Sequence, residues 1–308
     1  MTICVAIPTY NRERVLIDTL EQVIAQDPPA DEVLVVDQTL EHERETEEYL
    51  GRADREGKIR WVKHQPPNLP GARNRALEET TSDVVIFIDD DVKLTRDFVR
   101  NHRRNYSNPQ VVAVAGRTIQ PSGHRYPHCA GYWPRLTDYE YFPLNSTDRK
   151  EGVASFIGAN HSVRVSNMKK IGGYDENYIG WAFREDSDAA IRIWKLGGLI
   201  VFDPEAELTH LAIPGGGCRI KTQAKRIPEW QVSFPASYFA CRHFFPTVEF
   251  WKQVLFKNFR KYALRRETIL RPWRLPLAVV SYVYALGRAA FLARGPVKSP
   301  FVDKGARS

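Results

Sequence analysis

Along the first 120 positions, the pattern of apolar and polar residues switches repeatedly between strand-like segments and helix-like segments. Short apolar runs with the length of buried strands lie at residues 3–7, 33–36, 59–62, 84–88 and 111–115. Between them, apolar residues recur three or four positions apart, as in an amphipathic helix, beginning with Val15, Leu16, Leu20, Val23 and Ile24. This alternation predicts an α/β fold in which helices flank a mostly parallel sheet.

Polar residues that cap helices, and glycines that end them, mark several boundaries. Asn11 and Thr95 stand where the N-caps of two helices are expected. A later helix is predicted to begin near Arg184 and to end at Gly197, and it is followed by a strand at residues 200–202.

Two regions depart from the strand and helix alternation. Residues 120–150 are irregular and rich in aromatic residues and proline, which fits either a loop covering a substrate or an insertion packed on the body. After the Pro-Gly-Gly-Gly run at 214–217 the composition becomes aromatic and basic. We therefore predict an α/β domain at residues 1–217 and a basic, largely helical C-terminal extension at residues 218–308.

The charge is distributed unevenly between these two parts. Residues 215–308 carry 18 Lys and Arg against 4 Asp and Glu, whereas the rest of the chain is acidic. Such a basic region suggests an anionic partner, such as lipid head groups, an anionic polymer or nucleic acid, although a solvated basic face is the simpler alternative. No nucleic-acid-binding motif is recognisable in it, so nucleic acid is the least favoured partner.

Residues 275–293 form a mostly apolar segment flanked by arginines. Pro276, Gly287 and Arg288 interrupt it, which is unfavourable for a helix that crosses a bilayer. Two interpretations stay open: a helix lying on an anionic membrane, and a helix buried in the core or in a dimer interface.

The four cysteines, Cys4, Cys129, Cys218 and Cys241, are widely separated. They suggest neither a disulfide framework nor a zinc site, and a reducing compartment fits. The first strand begins at residue 3, so no signal peptide is expected before it.

Three adjacent carboxylates, Asp89, Asp90 and Asp91, follow the apolar run at residues 84–88. Their mutual repulsion must be relieved by a cation, by hydrogen bonds or by water. The carboxyl ends of parallel strands are where α/β enzymes bind ligands. A divalent cation held there would be placed to bind a diphosphate.

Six short motifs occur in order along residues 2–217. They are IPTYNR at 7–12, VVD at 35–37, GARN at 71–74, FIDDD at 87–91, REDSD at 184–188 and the single residue His210. Each is weak alone, but together they closely resemble the family 2 glycosyltransferases, which have the GT-A fold. The resemblance implies an inverting transfer of a sugar from a nucleotide-sugar donor, with a divalent cation as cofactor.

The resemblance also implies roles for particular residues. The nucleotide sugar would be bound by Pro8, Thr9, Arg12, Asp37, Arg73, Asp89 and Asp90. The metal ligands would be Asp91, His210 and Asp89, a set of oxygen and imidazole donors that suits Mn²⁺ or Mg²⁺. Arg219, just past the glycine run, would add a second cation to the leaving diphosphate.

The acidic pair at the start of the later helix would supply the catalytic base. Asp186 is favoured for this role, with Glu185 oriented toward the acceptor. Asn160 and Trp181 are the candidate acceptor contacts, Trp181 by stacking on a sugar ring.

The resemblance implies synthesis of a surface polysaccharide, a lipid-linked oligosaccharide or a glycolipid. UDP is the expected nucleotide, with dTDP and GDP as alternatives, and the acceptor would be a saccharide or a lipid-linked sugar. The basic extension would hold a cytoplasmic protein at the inner face of the membrane. A nucleotidyltransferase and a catalytically inactive binding protein are the alternative functions, and no motif indicates an oligomeric state.

Overall fold

The computed structural model describes residues 1–120, 145–217 and 228–302. Arg219 and most of the irregular region at 120–150 lie outside these ranges. The described strands are β1 (Ile3–Thr9), β2 (Glu32–Asp37), β3 (Arg60–Lys63), β4 (Val84–Ile88), β5 (Val92–Leu94), β6 (Val111–Ile119), β7 (Lys150–Glu151), β8 (Asn160–Arg164) and β9 (Leu199–His210).

These strands form one sheet in the order β3-β2-β1-β4-β8-β6-β9-β5, with β7 paired to β9. The four N-terminal strands run parallel, so that Ala6 of β1 lies beside Leu34 on one side and Phe87 on the other. The predicted α/β fold, with helices flanking a central sheet, is confirmed, and the structure adds antiparallel strands to the predicted parallel ones. Strand β8 runs antiparallel between β4 and β6, and β5 and β7 pair antiparallel with β9, so the sheet is mixed.

The helices of the body are α1 (Arg14–Ile24), α2 (Arg44–Arg55), α3 (Leu69–Glu79), α4 (Phe98–Asn105), α5 (Val165–Lys170) and α6 (Glu185–Lys195). Helix α1 begins after Glu13 and not at Asn11, because Asn11 has a φ of 51° and belongs to the preceding loop. Helix α4 begins after Asp97 rather than Thr95. Helix α3 begins at Leu69, where the Asn68 side chain accepts a hydrogen bond from the Gly71 N–H at 2.8 Å.

Both faces of the sheet are buried under helices. Because side chains alternate along a strand, Cys4 and Ala6 of β1 enter one core, and Ile3, Val5 and Ile7 enter the other. All five are fully buried, and each large aliphatic side chain buried in this way contributes about 1.5–3 kcal/mol. The two cores fix the sheet edge on which the acidic motifs stand.

The described part of the C-terminal region is helical. It comprises α7 (Glu229–His243), α8 (Val248–Trp251), a π-helical segment (Lys252–Asn258), α9 (Phe259–Tyr262), α10 (Arg266–Leu270), a 3₁₀ turn (Pro272–Arg274) and α11 (Leu275–Leu292). These helices share a third core with Tyr178 and Ile191 of the body. The chain then returns to the body, where Lys298 N–H donates to Asp175 at 3.1 Å. The predicted domain boundary at residue 217 stays a prediction.

Helix α11 buries only one narrow stripe, formed by Ala278, Tyr282, Ala285 and Ala289. Its other side exposes Leu277, Val280, Val283 and Phe291 to between 59% and 74%. In the described part of the chain, Pro272–Leu292 is the one helix long and apolar enough to cross a membrane by length and composition, and 22% of it is buried. One stripe of α11 thus packs in the third core while its other side is exposed, and the predicted membrane contact stays a prediction.

Candidate active site

A cavity of about 610 Å³ opens at the carboxyl ends of the central strands. Asp89, at the end of β4, and His210, at the end of β9, line one part of it. Arg73 of α3 and the first residues of α6, Glu185 and Asp186, line another part. The fold thus gathers residues that are far apart in sequence around one space.

Asp89, Asp91 and His210 form a three-ligand cluster whose donor atoms lie within 4.8 Å of one another. His210 Nε2 lies 3.2 Å from Asp91 Oδ1 and 3.4 Å from Asp89 Oδ2. Adjacent ligands of an octahedral ion with bonds of about 2.1 Å lie about 3 Å apart. Two carboxylates and one imidazole at these distances therefore fit Mn²⁺ or Mg²⁺.

Two backbone features hold this cluster. Val92 on β5 pairs with His210 on β9, which brings the histidine beside the acidic triplet. The N–H of Ile213 donates to Asp91 Oδ2 at 2.9 Å. On the other ring nitrogen, His210 Nδ1 lies 3.0 Å from Gln120 Oε1, and with the proton on Nδ1 the Nε2 lone pair points at the carboxylates.

Arg12 neutralises the buried part of the acidic triplet. Its Nε lies 2.9 Å from Asp90 Oδ1, and a terminal nitrogen lies 3.1 Å from Asp91 Oδ2. Thr9 Oγ1 donates to the other oxygen of Asp90 at 2.8 Å. Burial raises the pKa of Asp90 to about 7; Arg12 opposes that rise and the neighbouring carboxylates Asp89 and Asp91 add to it.

Four residues predicted to bind the donor are buried in this arrangement, and that role stays a prediction for them. Arg12 and Asp90 are engaged with each other, and Arg12 also contacts Asp91 of the three-residue cluster. Thr9 is also buried, and Pro8 is covered where β1 pairs with β2. Of the triplet, Asp89 alone keeps a partly exposed side chain, at 34%.

Asp37 is also turned inward, and the predicted contact of its carboxylate with a nucleotide base stays a prediction. Its oxygens accept hydrogen bonds from His42 at 2.9 Å, Trp61 at 3.0 Å and the Thr39 N–H at 2.8 Å, and Lys63 lies 2.9 Å away. Burial would raise the pKa of Asp37, but these donors outweigh it and hold the pKa well below its usual range. The carboxylate is satisfied within the protein.

Arg73 and Glu185 form a buried ion pair in the lining of the cavity. Arg73 is 1% exposed and Glu185 is 3% exposed, so the arginine charge is neutralised before it can meet a phosphate. Within the described residues, Oε2 of Glu185 is buried without a hydrogen-bond partner. Because a buried acceptor of this kind is costly, it marks a place where a ligand hydroxyl would be favoured.

Asp186 is the half-buried carboxylate at the start of α6. Its Oδ2 accepts from the Gly158 N–H at 2.8 Å, and its Oδ1 accepts from the Ser187 N–H at 2.6 Å. Two backbone donors thus fix its orientation while it lines the cavity. The loop before it is strained, since Ala182 and Arg184 have φ values of 51° and 77°.

Sequence reasoning missed the network that anchors α6. Asp188, one turn into the helix, is fully buried and bonds Arg192 at 2.8 Å and His243 of α7 at 2.8 Å. Burial would raise the pKa of Asp188, but Arg192, His243 and Arg242 hold it well below its usual range. Burial lowers the pKa of His243, so the neutral ring donates from Nε2 to Asp188.

The two predicted acceptor contacts have different outcomes. Trp181 lines the cavity and stacks on Phe183 with ring centroids 4.6 Å apart, so its place fits the prediction. Asn160 is fully buried, and its amide bonds His102 and the carbonyls of Arg117 and Ala206. The structure does not support a direct acceptor contact for Asn160; this side chain ties β8 to β6 and β9.

The glycine run holds the first loop. Gly216 has a φ of 65°, and a Cβ there would lie 2.4 Å from the carbonyl of Asn11. The Gly217 N–H donates to the Tyr10 carbonyl at 2.7 Å. The run of glycines in the sequence could have signalled this close approach. No pattern marked Gln120, which contributes a side-chain amide, or Ile213, which contributes a backbone N–H.

Comparison with known proteins agrees with this geometry. Residues 4–172 match the model of the family described as Glycosyl transferase family 2, and residues 142–212 match one described as N-terminal domain of galactosyltransferase. The chain belongs to glycosyltransferase family 2 and is a glycosyltransferase. This membership confirms the resemblance and favours sugar transfer over nucleotidyl transfer.

Curated relatives from two strains of Mycobacterium tuberculosis are described as N-acetylglucosaminyl-diphospho-decaprenol L-rhamnosyltransferase. They are 37% identical over 82 residues, which is 26% of this chain and 25% of theirs. The chain therefore matches about a quarter of the length of these relatives.

Two solved structures share the fold over nearly the whole chain. The mannosyltransferase PcManGT from Pyrobaculum calidifontis, in complex with GDP-Man and Mn²⁺, is 20% identical with a TM-score of 0.55 and covers 95% of this chain and 78% of its own. S. aureus TarS 1-349, in complex with UDP-GlcNAc, is 14% identical with a TM-score of 0.61 and covers 94% of this chain and 83% of its own. These likenesses confirm the GT-A fold.

Proposed function

We propose that the protein is an inverting, metal-dependent glycosyltransferase that moves a sugar from a nucleotide-sugar donor to a hydroxyl of a saccharide or lipid-linked acceptor. The observation that carries this proposal is the shared cavity. Asp89 and His210 of the metal cluster line it together with Asp186. Donor, cation and base would thus meet in one space.

The residues of the chain divide the chemistry between them. Asp89, Asp91 and His210 would hold a divalent cation, which neutralises the charge that builds on the departing nucleoside diphosphate. Asp186 would accept the proton of the acceptor hydroxyl while the oxygen of that hydroxyl forms a bond to the anomeric carbon. The bond from that carbon to the diphosphate oxygen breaks on the opposite face, which inverts the configuration.

Two neighbouring features support the acceptor side. The unpartnered Oε2 of Glu185 would accept a hydrogen bond from a second acceptor hydroxyl. The stacked rings of Trp181 and Phe183 offer an apolar face for a sugar ring. The curated relatives act, by their names, on a diphospholipid-linked sugar, which favours a lipid-linked acceptor here.

The similar structures bind GDP-Man and UDP-GlcNAc, so UDP and GDP are the first nucleotides to test, with dTDP as a third. We propose Mn²⁺ or Mg²⁺ as the cofactor on the chemistry of the three ligands. A role in surface polysaccharide or lipid-linked oligosaccharide synthesis, at the cytoplasmic face of a membrane, fits the basic C-terminal region.

The test is a binding and turnover screen of the purified chain with UDP-, GDP- and dTDP-sugars, with Mn²⁺, Mg²⁺ or EDTA. We expect metal-dependent binding of one nucleotide by calorimetry and slow release of its diphosphate. Asp91→Ala should abolish the metal-dependent part of binding. Absence of binding to every donor, with and without metal, would refute the proposal.

Asp186→Asn should retain nucleotide binding and lose turnover by about 10²–10⁴-fold, the usual contribution of a general base. Asp18→Asn, an exposed carboxylate on α1, is the matched control and should leave both quantities unchanged. Equal turnover of Asp186→Asn and the wild type would show that another group takes the proton.

A further inference from the structure

A second groove, of about 790 Å³, lies in the C-terminal region along the π-helical segment, α9 and the residues just after α9. Half of its eight lining side chains are apolar, among them Leu255, Phe256 and Leu264. The other half are cationic, among them Lys257, Arg260 and Lys261. No carboxylate is among the described residues that line it, and Glu249, outside the lining, lies 3.9 Å from Lys257. The lining itself is therefore both apolar and cationic.

The apolar lining is open to solvent. Phe256 is 70% exposed, Leu255 is 53% exposed and Leu264 is 38% exposed. Burying apolar surface gains roughly 25 cal/mol per Å², so three such side chains in one concave place favour an apolar occupant. A site for a free phosphate would need the cations but not these side chains.

This groove adjoins the catalytic cavity. Lys261 Nζ lies 4.8 Å from the ring centroid of Phe183, and Phe183 lines the cavity beside Trp181. A ligand with its anionic part near Lys261 would therefore have its next chemical group at the mouth of the cavity, on the side of the stacked rings. The π-helical geometry of residues 252–258, rare in proteins and frequent at functional sites, forms one wall.

We propose that this groove binds the diphosphate and the first apolar units of a lipid-linked sugar acceptor, and so presents its sugar to the cavity. The cations would pair with the phosphate oxygens, and the apolar side chains would cover the start of the hydrocarbon chain. The proposal rests on the proposed function and adds the place where the diphosphate and the lipid part of the acceptor lie.

The test uses the full chain and farnesyl diphosphate, a short soluble probe with a diphosphate and an isoprenoid chain. Binding is measured by calorimetry below the micelle concentration. Arg260→Ala and Phe256→Ser should each weaken binding by about tenfold or more, the loss expected for one charge-assisted hydrogen bond or one large apolar contact. Both side chains are exposed, so folding should be unaffected.

Matched controls lie nearby and outside the groove. Arg266→Ala removes an equally exposed cation, and Val280→Ser removes an exposed apolar residue on α11, so both should bind the probe as the wild type does. Nucleotide-sugar binding with Mn²⁺, measured on the same samples, should be unchanged in all four variants. If the wild type does not bind any nucleotide sugar, the proposed function is refuted. The affinities of the wild type and the groove variants for farnesyl diphosphate would still show whether the groove binds the probe.

Three outcomes would overturn the assignment. The first is equal affinity of the groove variants and the wild type for farnesyl diphosphate. The second is inorganic diphosphate binding as tightly as the probe, which would make the groove a plain anion site. The third is binding to vesicles of anionic lipid with none to the soluble probe, which would make this face a membrane contact.

Discussion

The acidic triplet after β4 and the acidic run at the start of α6 each place several carboxylates close together. Their repulsion is relieved in the two regions by residues from different parts of the chain. Each contains a carboxylate that is buried and paired, Asp90 in the first and Asp188 in the second. Each also presents a partly exposed carboxylate to the cavity, Asp89 in the first and Asp186 in the second. The buried member supports the fold, and the presented member is available for chemistry.

The difference lies in where the neutralising groups come from. Asp90 is bound by Thr9 and Arg12, which belong to the neighbouring strand β1 and the loop after it. Asp188 is bound by Arg192 of its own helix and by His243 of α7, in the C-terminal region. The cluster of Asp89, Asp91 and His210 is thus held by contacts within the body. Helix α6, which carries the proposed base, depends on the C-terminal helices.

The largest expected effect on stability comes from breaking the α6 network. Asp188→Asn leaves Arg192 without its buried counter-charge and removes one of the two carboxylates beside Arg242, and we expect the free energy of unfolding to fall by about 3–5 kcal/mol. Chemical denaturation measures this, with Asp18→Asn as the exposed control within about 0.5 kcal/mol. His243→Gln, which keeps a hydrogen-bonding side chain, should lose less.

The same variant tests the comparison itself. If α6 alone depends on this network, Asp188→Asn should retain metal-dependent nucleotide binding at temperatures where it is folded, while turnover falls. Equal losses of nucleotide binding and turnover would show that the two acidic regions are one unit.

A smaller effect is expected from pH, through His102 beneath β8, the strand that separates β4 from β6. His102 is fully buried between Ser162 and Asn160, and burial lowers its pKa to about 4. Between its unfolded value of about 6.5 and 4, the unfolded chain binds a proton that the folded chain does not, so stability falls as pH falls. The full loss from this residue is about 3 kcal/mol.

Denaturation curves at pH 7 and pH 4.5 measure this loss, and His102→Gln should reduce the difference in the free energy of unfolding between the two pH values.

His42 is a control with the opposite expected effect. Burial would lower its pKa, but Asp37 and Glu13 outweigh that effect and raise it, so His42 stabilises the fold at low pH and His42→Gln should steepen the loss. A wild-type chain equally stable at both pH values would contradict the assignment.

The smallest expected effect separates neighbouring members of the triplet. Asp89→Asn should weaken Mn²⁺ binding by at least about tenfold, because loss of a ligand costs no less than loss of its supporting partner. Its exposure predicts a change in stability within about 0.5 kcal/mol. Asp90→Asn should do the reverse, with stability reduced and metal affinity nearly kept. If Asp90→Asn loses more Mn²⁺ affinity than Asp89→Asn does, the assignment of Asp89 as the metal ligand is wrong.

Much of this arrangement was predictable from the sequence. The strand and helix periods determined the N-terminal α/β half, because burial of one helix stripe and of whole strands leaves a clear pattern. The acids after β4 and at the start of α6, and His210 after β9, could be assigned because they stand at element ends beside recognisable motifs. The distances within the cluster Asp89, Asp91 and His210 agree with that prediction.

Only the tertiary structure decided which of these polar side chains face the cavity. Arg12 and Asp37 belong to the motifs but turn inward, because each meets an opposite charge from another element, whereas Arg73 lines the cavity while paired with Glu185. The antiparallel β8 and the clamp of His243 on Asp188 depend on contacts between residues far apart in the chain, 55 positions in the second case. A sequence pattern records the period of one element and its ends, whereas the pairing of buried charges is a property of surfaces that meet after folding.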